Sequence, residues 1–321
     1  MKKDAGCGSR GVVVNDKVVF VLLLTASCIL HPASHLHSSS GETAADFLNL
    51  SPGARASGLA GAYSSIAQGA SGLHWNPAGL AQGEGRQASL MHAVYVQDAS
   101  FDHLAYSQKL GDDSGLGISV LSFSAGSIDE TDAFGATVGS FKPSNMALSA
   151  GYASKMGDYS LGASAKMISA KIIDSANAFA LDLGILSPTL MDDKLRWALT
   201  LSNMGGKIKF ESDSESLPSA LRFGSSWKSG DYSLLALDLS KPLEGDIFLS
   251  LGGEYTLPMG LEGGLSGRIG YTTRTSRKLG SLSGLAYGLG WKASPVFSLD
   301  YALEPLGDLG SAHRVSVGLS F

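Results

Sequence analysis

From Gln87 to the carboxy-terminus, apolar and small polar residues alternate. They do so in runs of about ten residues separated by turn residues, the pattern of a transmembrane barrel strand repeated many times. A period of two belongs to a β-strand with two unlike faces. In Tyr159–Met167, Tyr159, Leu161, Ala163, Ala165 and Met167 share one face, opposite Ser160, Gly162, Ser164 and Lys166. Leu285, Tyr287, Leu289 and Trp291 lie opposite Gly284, Gly288, Gly290 and Lys292, and Phe297, Leu299, Tyr301 and Leu303 lie opposite Ser298, Asp300 and Glu304. The last strand ends the same way, with His313, Val315, Val317, Leu319 and Phe321 on one face and Arg314, Ser316, Gly318 and Ser320 on the other. A soluble sandwich also alternates, but its solvent face carries more Lys and Glu. Here the polar face is mostly Ser and Gly, which suits a crowded lumen behind a lipid-facing wall.

Composition agrees. Of 321 residues, 41 are Gly and only 17% are charged, with a net charge of −5. No long apolar stretch follows the amino-terminal region, so the expected fold is not an α-helical membrane bundle. No basic cluster is present, so no nucleic-acid partner is expected. The seven His residues, among them His74, His92, His103 and His313, have no metal-ligand spacing. No nucleophile elbow, HExxH or phosphate loop occurs. The chain reads as a non-enzyme without metal or cofactor.

Lys2, Lys3, Arg10 and Lys17 precede an apolar run, Val18–Leu30, and then the small polar stretch PASHLHSSSG. This is the layout of a secretory signal, with cleavage expected between Ala33 and Ser40. Both cysteines, Cys7 and Cys28, fall in this leader, so a cleaved chain has no thiol. TASC, ending at Cys28, loosely resembles a lipoprotein cleavage site, and Val12, Val13 and Val14 are alternative starts.

Tight connections at Met156-Gly157-Asp158, Ser229-Gly230-Asp231 and Ala293-Ser294-Pro295 contrast with longer ones through Gly126–Ser144, Gly205–Ser216 and Thr273–Leu282. Alternating short and long links on about fourteen strands is the plan of an outer-membrane barrel. Ala133–Phe141 adds or removes one strand depending on how it pairs. Tyr159, Trp197, Trp227, Tyr255, Tyr271 and Trp291 fall near the ends of outward rows, where aromatic girdles at both membrane interfaces are expected. Gly288, on the small polar face, is expected to tolerate Ser.

Between leader and strands, Gly53–Ala70 is rich in small residues, with Leu59, Tyr63 and Ile66 at helical spacing, so a short helix with one apolar stripe is expected. In SGLHWNPAGLA, Asn76 before Pro77 is helix-start chemistry. Gly53-Ala54-Arg55, Gly58, Gly61-Ala62-Tyr63 and Trp75-Asn76-Pro77-Ala78-Gly79-Leu80 together resemble the amino-terminal motif of the PorV/PorQ family of outer-membrane proteins, which sits among FadL-like barrels and includes those of spirochaetes.

The resemblance implies an all-β fold: a transmembrane antiparallel β-barrel of about fourteen strands with a helical amino-terminal hatch in its lumen. Residues 1–40 are then a signal peptide, 41–86 the hatch and 87–321 the barrel. The hatch motif comprises Arg55, Gly58, Gly61, Tyr63, Trp75, Asn76, Pro77 and Gly79. Alternation places Lys166, Arg196, Arg222, Glu254, Arg268, Asp300, Glu304 and Arg314 in the lumen, where buried charges need partners. Arg55, alone between Asp46 and Glu84, is expected to meet Glu254, Asp300 or Glu304. Phe321 is expected to be the signal read by the barrel-assembly machinery, and outer-membrane lipid to surround the wall. The functions implied are uptake of hydrophobic small molecules such as long-chain fatty acids, a shuttle that carries secreted proteins to the cell surface, or a structural barrel.

Overall fold

The computed structural model describes residues 43–171, 175–210, 213–260 and 263–321. The leader, its cysteines and its cleavage site lie outside these residues. Fourteen strands close into one antiparallel barrel. In chain order they begin with β1 (Arg86–Val94), β2 (Ser100–Leu110) and β3 (Ser114–Ser124). A hairpin of β4 (Ile128–Thr131) and β5 (Thr137–Phe141) stands outside the barrel, so Ala133–Phe141 adds no wall strand. The wall resumes with β6 (Ser144–Met156), β7 (Tyr159–Lys171), β8 (Ser175–Leu186) and β9 (Leu195–Gly205). A second outside hairpin, β10 (Lys207–Phe210) and β11 (Asp213–Ser216), follows. The wall is completed by β12 (Ala220–Lys228), β13 (Ser233–Pro242), β14 (Phe248–Met259), β15 (Gly263–Thr272), β16 (Leu285–Lys292), β17 (Phe297–Pro305) and β18 (Ser311–Ser320).

Each wall strand pairs with its neighbours in sequence, and β1 pairs with β18 to close the ring. At that seam Arg86 N donates to Phe321 O (2.8 Å) and Phe321 N to Arg86 O (2.9 Å). Both barrel termini therefore share one rim with the tight turns at Gly157 and Gly230, whose φ of 61° and 154° suit glycine. The outside hairpins and the helix Thr273–Leu279 share the opposite rim. These are called here the turn rim and the loop rim.

Period-two alternation fixes which side chains face in. In β7, Tyr159, Leu161, Ala163, Ala165 and Met167 are exposed, while Ser160, Ser164, Lys166 and Ile168 are buried. Outward apolar residues such as Phe179 (69% exposed) and Leu289 (60%) cover the outside, which a barrel tolerates only in lipid. Among the aromatics, Tyr159 stacks near Trp197, with ring centroids 5.8 Å apart. Tyr159, Trp197, Trp227, Tyr255 and Trp291 all lie toward the turn rim, and Tyr271 lies toward the loop rim. The aromatic belt is thus mostly one-sided, because outward positions near the loop rim are instead Asn177, Lys241 and the His92–Asp102 pair (2.6 Å).

One irregularity marks the wall. Between β8 and β9 the register slips at Leu181/Leu183. Asn203, at φ 56°, sits in the resulting bulge, and its N–H donates to Asp182 Oδ1 at 2.7 Å. An extra residue on one strand is the usual means of re-aiming a side chain in a ladder, and Asn203 Oδ1 accepts from Lys166 Nζ at 2.8 Å.

Candidate functional site

Residues 43–85 pack against the inward-facing side chains of the wall. This stretch begins beside the loop-rim hairpin, where Ala44 N donates to Ser216 O (3.0 Å), and ends at Gly85, which leads into β1 at the turn rim. Its first turn, Asp46–Asn49, is a 3-10 helix. The short helix expected in Gly53–Ala70 is present as one turn, Ala54–Gly58, which ends before the stripe of Leu59, Tyr63 and Ile66. Ala60 and Gly61, at φ 53° and 79°, break it. Leu59 and Tyr63 nevertheless share one apolar cluster with Trp75, so the stripe survives without the helix. Three further turns, the 3-10 helix Gly69–Ser71, Gly72–Trp75 and the 3-10 helix Pro77–Gln82, complete the segment.

The motif residues hold these turns together. Asn76 Oδ1 accepts from Ala78 N (3.1 Å), with Pro77 at the first helical position. Its Nδ2 donates to Ser64 O within the segment and to Ile185 O of β8, each at 3.2 Å, so one side chain ties the turn to the wall. Trp75 donates from Nε1 to Pro52 O (3.1 Å) and meets Tyr63 edge-on at 5.7 Å. The Arg222 guanidinium lies 5.1 Å over the Trp75 ring.

Glycine explains the close fit. A Cβ on Gly162 would fall 2.3 Å from the carbonyl carbon of Pro77, and one on Gly115 would fall 2.2 Å from Leu80 O. Gly270 and Gly252 stand against the backbone and side chain of Leu59, and Gly184 against Asn76 Oδ1. From the segment's side, a Cβ on Gly58 would fall 2.9 Å from Gly288 Cα of the wall, and within the segment one on Gly79 would fall 2.3 Å from Ala67 O. The wall glycines are therefore an imprint of the segment's backbone, and the expectation that Gly288 tolerates Ser depends on whether its neighbours can give by a few tenths of an ångström. Its Cβ would meet Gly58 Cα and Arg268 Cβ, each at 3.1 Å.

All eight alternation-assigned charges face inward, and most meet opposite charges. Arg55 reaches Glu254 (2.7 Å), which also receives Arg268 (2.5 Å), and Arg268 extends to Asp300 (2.6 Å). Two cations thus balance two carboxylates across the segment and β14, β15 and β17. Arg314, 1% exposed, meets Glu304 at 2.6 Å and also bonds Tyr95. Lys166 meets Asp182 at 2.7 Å, and Arg222 lies 4.0 Å from Asp238, which accepts from Ser64 N at 3.1 Å. Arg196 stands apart, its Nε buried without a hydrogen bond. Complementary pairing is what such charges require away from water.

Sequence reasoning missed Asp182 and Asp238. Both sit between leucines, in Leu181-Asp182-Leu183 and Leu237-Asp238-Leu239. A lone carboxylate on the small-residue face of an alternating strand was the available signal.

Near the loop rim the inward face changes character. Met91, Phe101, Leu121, Ala147, Ile168 and Ala178, with Ile208 and Leu217 of the outer hairpin region, form one apolar cluster around Phe47 and Leu48. Beneath it, a small cavity is lined by Leu48, Leu73, His74, His103, Ser119 and Lys166 among others. Burial pulls the His74 imidazole well below the ordinary histidine value, and the positive charges of Lys166 and Arg222 push the same way.

No curated protein is significantly similar in sequence. Among solved structures, a CymD monoaromatic hydrocarbon channel aligns with a TM-score of 0.57 at 14% identity, covering 84% of this chain and 97% of that one. The toluene transporter TodX of Pseudomonas putida aligns at 0.53 and 12%, covering 79% and 93%, and a Pseudomonas aeruginosa FadL homologue at 0.53 and 13%, covering 88% and 100%. These neighbours share the fold, one of outer-membrane channels and transporters. A family description, "Type IX secretion system protein PorV", matches residues 35–237. That match spans more than half of the chain and includes the whole amino-terminal motif, and the chain belongs to the PorV family.

Proposed function

We propose that this protein is an outer-membrane uptake channel for hydrophobic small molecules such as long-chain fatty acids, closed at rest by residues 41–86 acting as a hatch in the lumen. Residues 1–40 are then a cleaved signal peptide, 87–321 the transmembrane barrel, and Phe321 the signal for its assembly. The observation that carries this reading is the apolar cluster at the loop rim. Elsewhere the inward positions are mostly Ser, Gly, Ala or charged, whereas there the large apolar side chains Met91, Phe101, Leu121 and Ile168 gather. An apolar inner surface that buries Phe47 and Leu48 would offer the same burial to an apolar solute that reached it. The hydrocarbon and toluene channels of the same fold support the class of solute. The hatch is supported by the fit of segment backbone to wall glycine and by the Arg55–Glu254 pair.

Deleting residues 43–81 tests it. The deletion should still assemble as a heat-modifiable barrel and give large, steady conductance in planar bilayers, with little in the full-length protein. Cells carrying the full-length protein should take up labelled fatty acid faster than cells without it. A full-length protein that conducts like an open porin overturns the hatch.

A second reading has its own support. The family match and the close packing of the segment against the wall suit a PorV-like shuttle that carries secreted proteins to the surface without passing solute. Unchanged fatty-acid uptake, together with co-purification of secreted proteins, would select it.

A further inference from the structure

The wall is not equally tall all the way round, and its outer face changes with its height. β6, β7 and β8 have 13, 13 and 12 residues. Across the ring from β7, the strands β15, β16 and β17 have 10, 8 and 9. On the tall side the outward positions nearest the loop rim are polar: Ser122 and Ser124 in β3, Ser169 and Lys171 in β7, Ser175 and Asn177 in β8. On the short side they are apolar to the end: Ile269 and Tyr271, Leu285 and Tyr287, Leu303 and Pro305.

Strand length accounts for the difference. The 13 residues of β7 rise about 43 Å along the strand and, at barrel tilt, cross about 33 Å of membrane. That exceeds the roughly 25 Å apolar band of such a barrel, so the loop-rim ends of the long strands stand in water. The 8 residues of β16 rise about 26 Å and cross about 20 Å, short of that band.

The loops that top the short side carry the missing apolar height. Leu282 (73% exposed) and Leu279 lie between β15 and β16, Leu243 (61%) and Ile247 between β13 and β14, and Leu309 between β17 and β18, all exposed. These loops touch one another. Arg277 Nη1 donates to Ile247 O (2.8 Å), and a Cβ on Gly307 would fall 2.8 Å from Leu279 O. A continuous run of large exposed apolar side chains marks a contact surface. This one continues the lipid-facing wall without a break, because Leu282 leads within one turn into Leu285 of β16. Charge favours no other occupant. Lys241, Arg277 and Lys278 share the loops with Glu244, Asp246 and Asp308, so the patch is close to neutral and its cations can snorkel beside the leucines.

We propose that these three loops are seated in the leaflet on the loop-rim side, with their leucines among acyl chains and their charges at head-group level. The occupant of the patch is lipid, held by apolar burial rather than by head-group charge. The loop rim is thereby oblique to the membrane, raised clear of it at β6 to β8 and flush with it at β15 to β17. Neither function proposed above is needed for this seating.

Full-length protein with Cys7→Ser and Cys28→Ser, refolded into phosphatidylcholine vesicles, tests it. Each variant adds one cysteine bearing a nitrobenzoxadiazole fluorophore and is first checked for heat-modifiable folding. Asn177→Cys and Tyr271→Cys mark the loop-rim ends of a long and a short strand. Phe134→Cys and Leu282→Cys mark loops on the tall and the short side. Where the Tyr271 variant does not fold, Leu285→Cys reports the same level. With a lipid carrying a nitroxide high on its acyl chain, labels at 271 and 282 should lose most of their emission, and labels at 177 and 134 should keep theirs. Adding phosphatidylglycerol should leave this pattern unchanged. A label at 177 quenched as strongly as the one at 271 makes the rim level and overturns its obliquity. A label at 282 that stays in water overturns the seating. So does one that is shielded but unquenched and returns to water when protein is diluted among vesicles, since a second copy then covers the patch. Quenching at 282 that requires phosphatidylglycerol overturns the apolar account of the seat.

Discussion

Below Gly53 the amino-terminal segment meets the wall with its backbone; above it, the segment meets the wall with side chains. Glycine faces backbone at Gly162, Gly115 and Gly270, and ion pairs lock Arg55 and Arg268 across Glu254 and Asp300. Such contacts have no adjustable part. A Cβ has one position, and a buried charge without its partner is costly. The Asp46–Asn49 turn instead rests on Phe47 and Leu48 among other apolar side chains, where the same burial is available to any apolar group of similar size. The difference teaches that one amino-terminal segment can be held in part by close backbone fit and charge and in part by apolar burial.

The comparison breaks most sharply at glycine. Gly162→Leu drives a side chain into the Pro77–Ala78 backbone, and loss of the heat-modifiable folded form is expected. Gly267→Leu, with nothing within 4 Å of its Cβ, should migrate like wild type. Equal behaviour of the two on a heat-modifiability gel would mean that the segment does not rest on the wall.

A middle-sized effect is expected from the ion pairs. Arg268→Met leaves Glu254 and Asp300 short of a cation and should destabilise the barrel by about 3–5 kcal/mol in urea unfolding. Adding Asp300→Asn removes the carboxylate left without its partner and should restore much of that loss. A double variant no better than the single one would make the network a by-product of packing.

The smallest effect should come from the Asp46–Asn49 turn. Phe47→Leu exchanges one apolar group for another in the adaptable region and should cost less than about 1.5 kcal/mol by the same unfolding measurement. A cost matching Arg268→Met would erase the distinction between the two regions.

How far each region can be read from sequence follows the same division. The wall was legible because every strand repeats one rule: outward residues are apolar and inward residues are small or charged, as in β7 and β18. The outer hairpin of β4 and β5 was not, since Ile128–Thr131 and Thr137–Phe141 are short, largely exposed strands that carry no alternation to read. Arg55 could be matched to a set of carboxylates by charge arithmetic in an otherwise uncharged stretch. The helix expected around Leu59 and Tyr63 is absent because Gly58 and Gly61 interrupt the run, glycine being a poor helix former. The wall, invisible to local periodicity, sets the turn at Ala60-Gly61 instead. The close contact at Gly288 went unseen for the same reason: its neighbour is Gly58, and no spacing rule links residues 230 apart. Phe47 and Leu48 passed unnoticed because two adjacent apolar residues near a leader have no period at all.

The glycine imprint also dictates an order of events. A segment whose backbone touches the wall at Cα has no clearance to be threaded along a finished barrel. It enters beside Ser216 at one rim and leaves at Arg86, beside Phe321, at the other. The seam where β1 meets β18 joins the two most distant stretches of the wall, the kind of pairing that chain entropy delays. On that argument the β1–β18 seam is expected to close late, around a segment already in place, and refolding kinetics of a Gly162→Leu variant would check it.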